Sequence, residues 1–168
     1  YAQKGFYVMY RAQTAPAQYR RLESIQLPEW VAAMVALIGK DIYFRWHDSG
    51  DLQSVEHLEK IIAVCNATPH CQHWLPTREY GIVKEYIDRH GKTSIPDNLI
   101  IRLSAMYPDK PAVVPASLQN VSGIATSNAH RNQAAVGFEC GAYKRDGKCM
   151  ECRACWQRTV PAVSYPMH

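Results

Sequence analysis

The chain has 168 residues, 47% of them hydrophobic, and a net charge of +4. That length and apolar content support one well-buried domain and exclude a disordered chain, while the mild basic balance permits contact with phosphate or nucleic acid without demanding it. The longest uncharged apolar run, Trp30 to Ile38, is too short to span a bilayer, and no signal-peptide layout opens the chain, so no membrane association is expected.

In chain order, residues 1–21 mix Tyr, Gln, Ala and Arg without a clean period and read as a loop or an irregular helix. From Pro28 a helix is well marked, with Trp30, Val31, Met34, Val35 and Ile38 on one face and Gly39 at its end. Residues 41–46 read as a strand and lead into the polar turn His47-Asp48-Ser49-Gly50-Asp51. Ser54 caps the next helix, which buries Val55, Leu58, Ile61, Ile62 and Cys65 and leaves His57 on its solvated side. A second strand over 71–75 ends in Pro76-Thr77-Arg78-Glu79. A helix carrying Ile82, Val83, Tyr86 and Ile87 follows, and then a third strand over 98–103.

Strand, helix, strand, helix, strand with short links predicts an α/β fold: a partly parallel sheet built from βαβ crossovers, with a partial barrel as a variant. Ligands of such sheets bind at the carboxyl ends of the strands, and three polar clusters fall there: 47–51, 77–79 and 102–104. His47, Asp48, Asp51, Arg78 and Glu79 are therefore the candidate catalytic groups, with Ser49, Gly50 and Ser104 beside a cofactor. The plainer reading has Asp48, Ser49 and Asp51 capping a helix and Arg78 with Glu79 as a solvated ion pair. Trp30, Trp46 and Trp74 read as core or pocket wall, and Cys65 as a small buried hydrophobe. Cys71, flanked by His70 and His73, is open between packing and metal binding.

Beyond Pro108 prolines recur, and residues 122–133 read as a small, polar surface loop containing His130 and Arg131. Phe138 leads into the sharpest chemical signal of the chain, Cys140 followed by Cys149-x2-Cys152-x2-Cys155-Trp156. Three thiolates at this spacing converge across a tight turn and Cys140 returns as a fourth, with Gly141, Asp146 and Gly147 able to fold the loop back on itself. Lys144, Arg145, Lys148 and Arg153 offset the thiolate charge. A structural zinc ion and a 4Fe-4S cluster both suit the pattern, and a disulfide pair is the non-metal alternative. After Trp156, Pro161 and Pro166 argue against regular structure.

The stretches Arg45-Trp-His-Asp-Ser-Gly-Asp-Leu52, Trp74-Leu-Pro-Thr-Arg-Glu79 and Cys149-x2-Cys152-x2-Cys155-Trp156 resemble the gene product 88 family of phage and prophage proteins over most of the chain. The resemblance implies a protein of the host-cell cytoplasm whose family members carry a cysteine-containing segment ahead of Tyr1-Ala2, making residues 1–168 a single domain that lacks its N-terminus. A looser likeness is to radical SAM enzymes with an auxiliary cluster. It implies S-adenosylmethionine at the 48–51 turn and the four cysteines on the auxiliary cluster, although the CxxxCxxC run of those enzymes is missing near the start. Two functions are thus expected in competition: a metalloenzyme with its pocket at the strand ends, or a zinc-stabilised module that binds nucleic acid or a host protein.

Overall fold

Helix-forming residues dominate the start of the chain even where no apolar period is visible. The computed structural model describes residues 10–47 and 50–167, apart from the side chain of residue 13, and divides the chain into two compact units, Tyr1–Gly39 and Lys40–His168. In the first, α1 covers Arg11–Ser24 and α2 covers Trp30–Ile38. Ala15, Ala17, Gln18, Arg20 and Leu22 are good helix formers, and their summed preference outweighs Pro16 inside α1, where a loop or irregular helix was the expectation. Gly39 closes α2 at φ +52, donating its amide to the Val35 carbonyl at 3.0 Å.

The second unit is an α/β sheet whose described strands all run parallel, six of them curled into a half-barrel. Its strands are β1 (Tyr43–Arg45), β2 (Gln72–Thr77), β3 (Leu99–Ser104), β4 (Ile124–His130), β5 (Phe138–Glu139) and β6 (Ala162–Pro166), in the spatial order β1-β2-β3-β4-β6-β5. Helices α3 (Val55–Ala67) and α4 (Tyr80–His90) form the first two crossovers. The Ser54 hydroxyl accepts from the His57 amide at 3.2 Å and caps α3, a contact that stabilises such helices by about 1 kcal/mol.

Alternation along the strands gives the sheet two different faces. On one, His73, Leu75, Leu99, Ile101 and Leu103 are buried together with the apolar sides of α3 (Leu58, Ile61, Val64) and α4 (Val83, Ile87). The Thr68 hydroxyl at the end of α3 meets His73 Nε2 at 2.9 Å there. On the other face Trp74, Ile100, Ala125 and Val163 pack with Cys155, against which Cys140, Trp156, Val160 and Tyr165 lie half-buried.

Three strands were hidden in the sequence, the two-residue β5 and the longer β4 and β6. β4 replaces the expected surface loop, because Ile-Ala-Thr-Ser-Asn-Ala-His is too polar to read as a strand although Ala125, Ser127 and Asn128 are buried. Its polar side chains are satisfied by neighbouring strands, as buried polar groups must be. β6 replaces the expected irregular tail: Pro161 precedes it and Pro166 is its last residue, so both prolines sit where a strand tolerates them, and Val163 and Ser164 are fully buried between them.

Candidate functional site

The cysteine stretch is the crossover between two adjacent parallel strands. β5 pairs with β6 through Phe138↔Val163 and Glu139↔Ser164, so the chain leaves the carboxyl end of β5, crosses the second face of the sheet and re-enters at the start of β6. Gly137 makes the pairing possible: at φ +83, any Cβ there would meet the Ala162 carbonyl oxygen at 2.5 Å. Cys140 then donates its amide to the Ser164 carbonyl at 2.8 Å.

Beneath this crossover lies Arg102, and its surroundings correct the strand-end reading. The residue sits within β3, its solvent exposure is 0%, and all three guanidinium nitrogens donate to backbone carbonyls. Nε reaches Cys155 O at 2.8 Å, one Nη reaches Ala154 O at 2.8 Å and Gln157 O at 3.1 Å, and the other reaches Val160 O at 3.1 Å and Thr126 O at 3.2 Å. Five N–H donors meet five carbonyls, so the fork is saturated without a carboxylate. Burial alone pulls the Arg102 pKa down, against the Cys155 and Tyr165 groups that raise it.

The four cysteines differ in setting. Cys155 is buried with Sγ 3.2 Å from Tyr165 Oη, Cys140 and Cys152 are half-buried, and Cys149 is exposed. Burial raises the Cys155 thiol pKa most. The Tyr165 hydroxyl and Arg102 oppose that rise, and Cys140 and Cys149 reinforce it. Cys140 and Cys149 are thus electrical neighbours of Cys155, although they lie fifteen and six positions before it in sequence. Asp146 (φ +51), Gly147 (φ +78) and Met150 (φ +49) turn the loop, and the Cys152 amide donates to the Cys149 carbonyl at 2.9 Å. All six cysteines are free thiols, and among the described residues no three His, Cys, Asp or Glu side chains are gathered closely enough to hold a metal ion. Cys140, Tyr143, Tyr165 and Pro166 line an adjoining groove of about 470 Å³. Of the basic loop residues, Arg153 lies 4.8 Å over the Tyr43 ring and the Lys144 ammonium 5.2 Å over Tyr143.

At the carboxyl ends of β1 and β2 the parallel topology does bring the separated groups together. The Asp51 carboxylate accepts from the Thr77 hydroxyl at 2.5 Å, the Leu52 amide at 2.8 Å and the Arg78 amide at 2.8 Å. Arg78 contributes its backbone, and the Glu79 amide turns to Thr77 Oγ1 at 3.0 Å. His47 is half-buried at φ +54, and burial lowers its pKa more than Asp51 and the Pro76 carbonyl raise it. Its ring lies 5.6 Å from that of His57, which is buried rather than solvated and has its pKa pushed down to about 4, by burial first and then by His47 and Lys60. Ser104 pairs with Ser127, Oγ to Oγ 3.1 Å, and its carbonyl accepts from the Tyr80 hydroxyl at 2.9 Å. Gly50 has φ +97, while Asp48 and Ser49 lie outside the described residues.

A further polar chain escaped sequence reasoning. Ser164 Oγ donates to Asn128 Oδ1 at 2.6 Å and meets His130 Nδ1 at 2.6 Å, so the hydroxyl, already spent as a donor, accepts from a protonated Nδ1. Just after His130, the amides of Arg131, Asn132 and Gln133 donate to the Asp109 carboxylate at 2.7, 3.0 and 3.2 Å. No sequence signal joins His130 to Ser164, because their strands are adjacent only through a crossover 34 residues apart.

Sheet, crossover and thiols together define an α/β protein with a cysteine-bearing crossover on its open face. The family profile described as gene product 88 matches residues 1–158, nearly the whole sequence, and the chain belongs to that family. No curated protein and no solved structure is significantly similar to it.

Proposed function

We propose that this gene product 88 protein is a metal-thiolate protein whose centre, a zinc ion or a 4Fe-4S cluster, is held by Cys140, Cys149, Cys152 and Cys155. One observation carries the reading: the parallel pairing of β5 with β6 folds the crossover back so that its first cysteine and its last meet on one patch, with Cys149 within electrostatic reach. Cys140 and Cys155 share that patch although ionised thiols there would repel, a repulsion that a bound cation would offset. Cys149 and Cys152 are the accessible members, on a turn of left-handed residues that can close over a centre. Bound metal would supply a charged anchor for a crossover that has little apolar mass of its own, and binding energy at such a site is folding energy.

Asp51 does not join this centre. Its hydrogen bonds to Leu52, Thr77 and Arg78 tie two strand-end loops to each other, which favours a metal-stabilised fold over a strand-end enzyme using S-adenosylmethionine. The test is Cys152→Ser in the whole chain prepared under anaerobic conditions. Metal stoichiometry and melting temperature should fall together, and an unchanged metal content with unchanged melting overturns the assignment. Addition of DNA at two salt concentrations checks the remaining alternative, a nucleic-acid module, which requires steep salt-dependent binding.

A further inference from the structure

Arg102 poses a physical question that a structural clamp alone does not answer. A guanidinium with 0% exposure keeps its charge, and its five acceptors are neutral carbonyl dipoles. Buried cations in proteins are ordinarily paired with an anion, because hydrogen bonds satisfy donors without cancelling the field. No described carboxylate pairs with Arg102, whereas Arg158, beside the start of β3, has both carbonyl acceptors and Asp97 at 3.3 Å. The ionisable groups beside Arg102 are Cys155 and Tyr165, with Cys140 on the same patch.

Four of the five carbonyls belong to Ala154, Cys155, Gln157 and Val160, the segment that carries the last cysteine of the run. The guanidinium therefore fixes where Cys155 sits whether or not a ligand is bound, and places one positive charge under the loop. We infer that Arg102 is the template and counter-charge of the thiolate centre, and that the centre it selects is anionic: four thiolates, rather than a mixed set with neutral imidazoles. This rests on the metal-thiolate reading and adds the charge class of the centre and the residue that enforces it. Four thiolates around a divalent cation leave two negative charges in excess, and a 4Fe-4S cluster on four thiolates carries a similar surplus. A fixed cation below such a centre lowers the free energy of assembling like charges, and costs no reorganisation because the carbonyl cage already holds it.

The experiment uses the whole chain, Co²⁺ as the probe metal, and the variants Arg102→Lys and Arg102→Gln. Co²⁺ bound by four thiolates gives intense visible and near-ultraviolet bands, so both affinity and ligand set are read from one titration. Hydrogen exchange of the 154–160 amides in the metal-free chain is measured alongside. Wild type should show the four-thiolate spectrum and protected 154–160 amides. Both variants should lose protection, since neither restores the five-donor fork. Arg102→Lys, which keeps the charge, should bind Co²⁺ at least about tenfold more tightly than Arg102→Gln. Equal affinities in the two variants overturn the counter-charge role, and unprotected 154–160 amides in wild type overturn the template role. A wild-type chain that takes up no Co²⁺ while those amides are protected instead overturns the metal reading and leaves the template intact. Should Arg102→Gln fail to fold, the same affinity comparison is made between wild type and Arg102→Lys at low and high salt. A buried counter-charge predicts no more than a few-fold change with salt, and a strong salt dependence contradicts it.

Discussion

The two faces of the sheet are built by different physics. The helix face is a conventional apolar layer: Leu75, Ile101 and Leu103 are fully buried on the same side of the sheet as His73, whose Nε2 meets Thr68 at the end of α3. The crossover face has a small cluster around Trp74 and Val163, and its covering segment is held chiefly by polar contacts, with Arg102 gripping its backbone carbonyls and Arg158 and Trp156 donating to carbonyls of the strands and their flanks. An apolar layer tolerates many residues of similar volume, whereas a carbonyl cage admits one side chain. The helix face should thus respond to lost volume, and the crossover face to lost donors and lost metal.

Breaking that contrast should have its largest effect at Arg102. Arg102→Met removes five donors from a buried carbonyl cage, in which Ala154 O and Gln157 O keep only the turn amides of Gln157 and Val160, and should destabilise by about 4 kcal/mol or more, read by denaturant unfolding. Ile101→Ala, one residue away but facing the helix side, should cost about 2–5 kcal/mol by leaving a cavity, with Co²⁺ binding at the crossover unaltered once the protein is folded. Loss of metal binding in a folded Ile101→Ala protein would mean that the two faces are not independent.

Next comes Asp51→Asn. The carboxylate accepts three hydrogen bonds from two loops, so about 1.5–3 kcal/mol should be lost, without change in metal content. A variant as stable as wild type but devoid of some measured activity would return Asp51 to the catalytic set. A further effect, growing with acidity, is expected from pH. His57 and His73 are buried with pKa values pushed down to about 4, by burial first in each, against an ordinary value of 6.5. The unfolded chain therefore takes up protons first. Stability attributable to these two imidazoles should be unchanged above pH 6.5 and fall as pH drops from 6.5 toward 4, with proton uptake on unfolding in that window. The smallest effect belongs to Ser54→Ala, about 1 kcal/mol from loss of the α3 cap.

How much of this could be read from the residues differs between the same two faces. The helix face was legible because α3 and α4 carry apolar residues at helical spacing and the strands beside them are rich in Ile and Leu, so both periods were visible. His57 was misplaced because one polar residue near an N-cap looks solvated until its neighbours are known. It in fact accepts from the Gln53 amide at 3.4 Å and lies near His47. The crossover face was legible only as chemistry. The cysteine spacing was plain, but β4 and β6 had no hydrophobic pattern to betray them, since their burial is balanced by Ser127, Asn128 and Ser164 bonding across strands. Arg102 read as a strand-end group because nothing local shows that five carbonyls, four of them more than fifty residues away, converge on it.

The measurement that bears most directly on the central claim is metal analysis with an absorption spectrum on the whole chain, purified anaerobically. The account predicts one centre per chain: either one zinc in a colourless protein, or iron and sulfide in a brown one with broad visible absorption that bleaches on reduction. In the same preparation Cys140, Cys149, Cys152 and Cys155 should resist a thiol reagent until the metal is removed. A folded, metal-free protein in which exposed Cys149 and half-buried Cys140 and Cys152 react at once would contradict it.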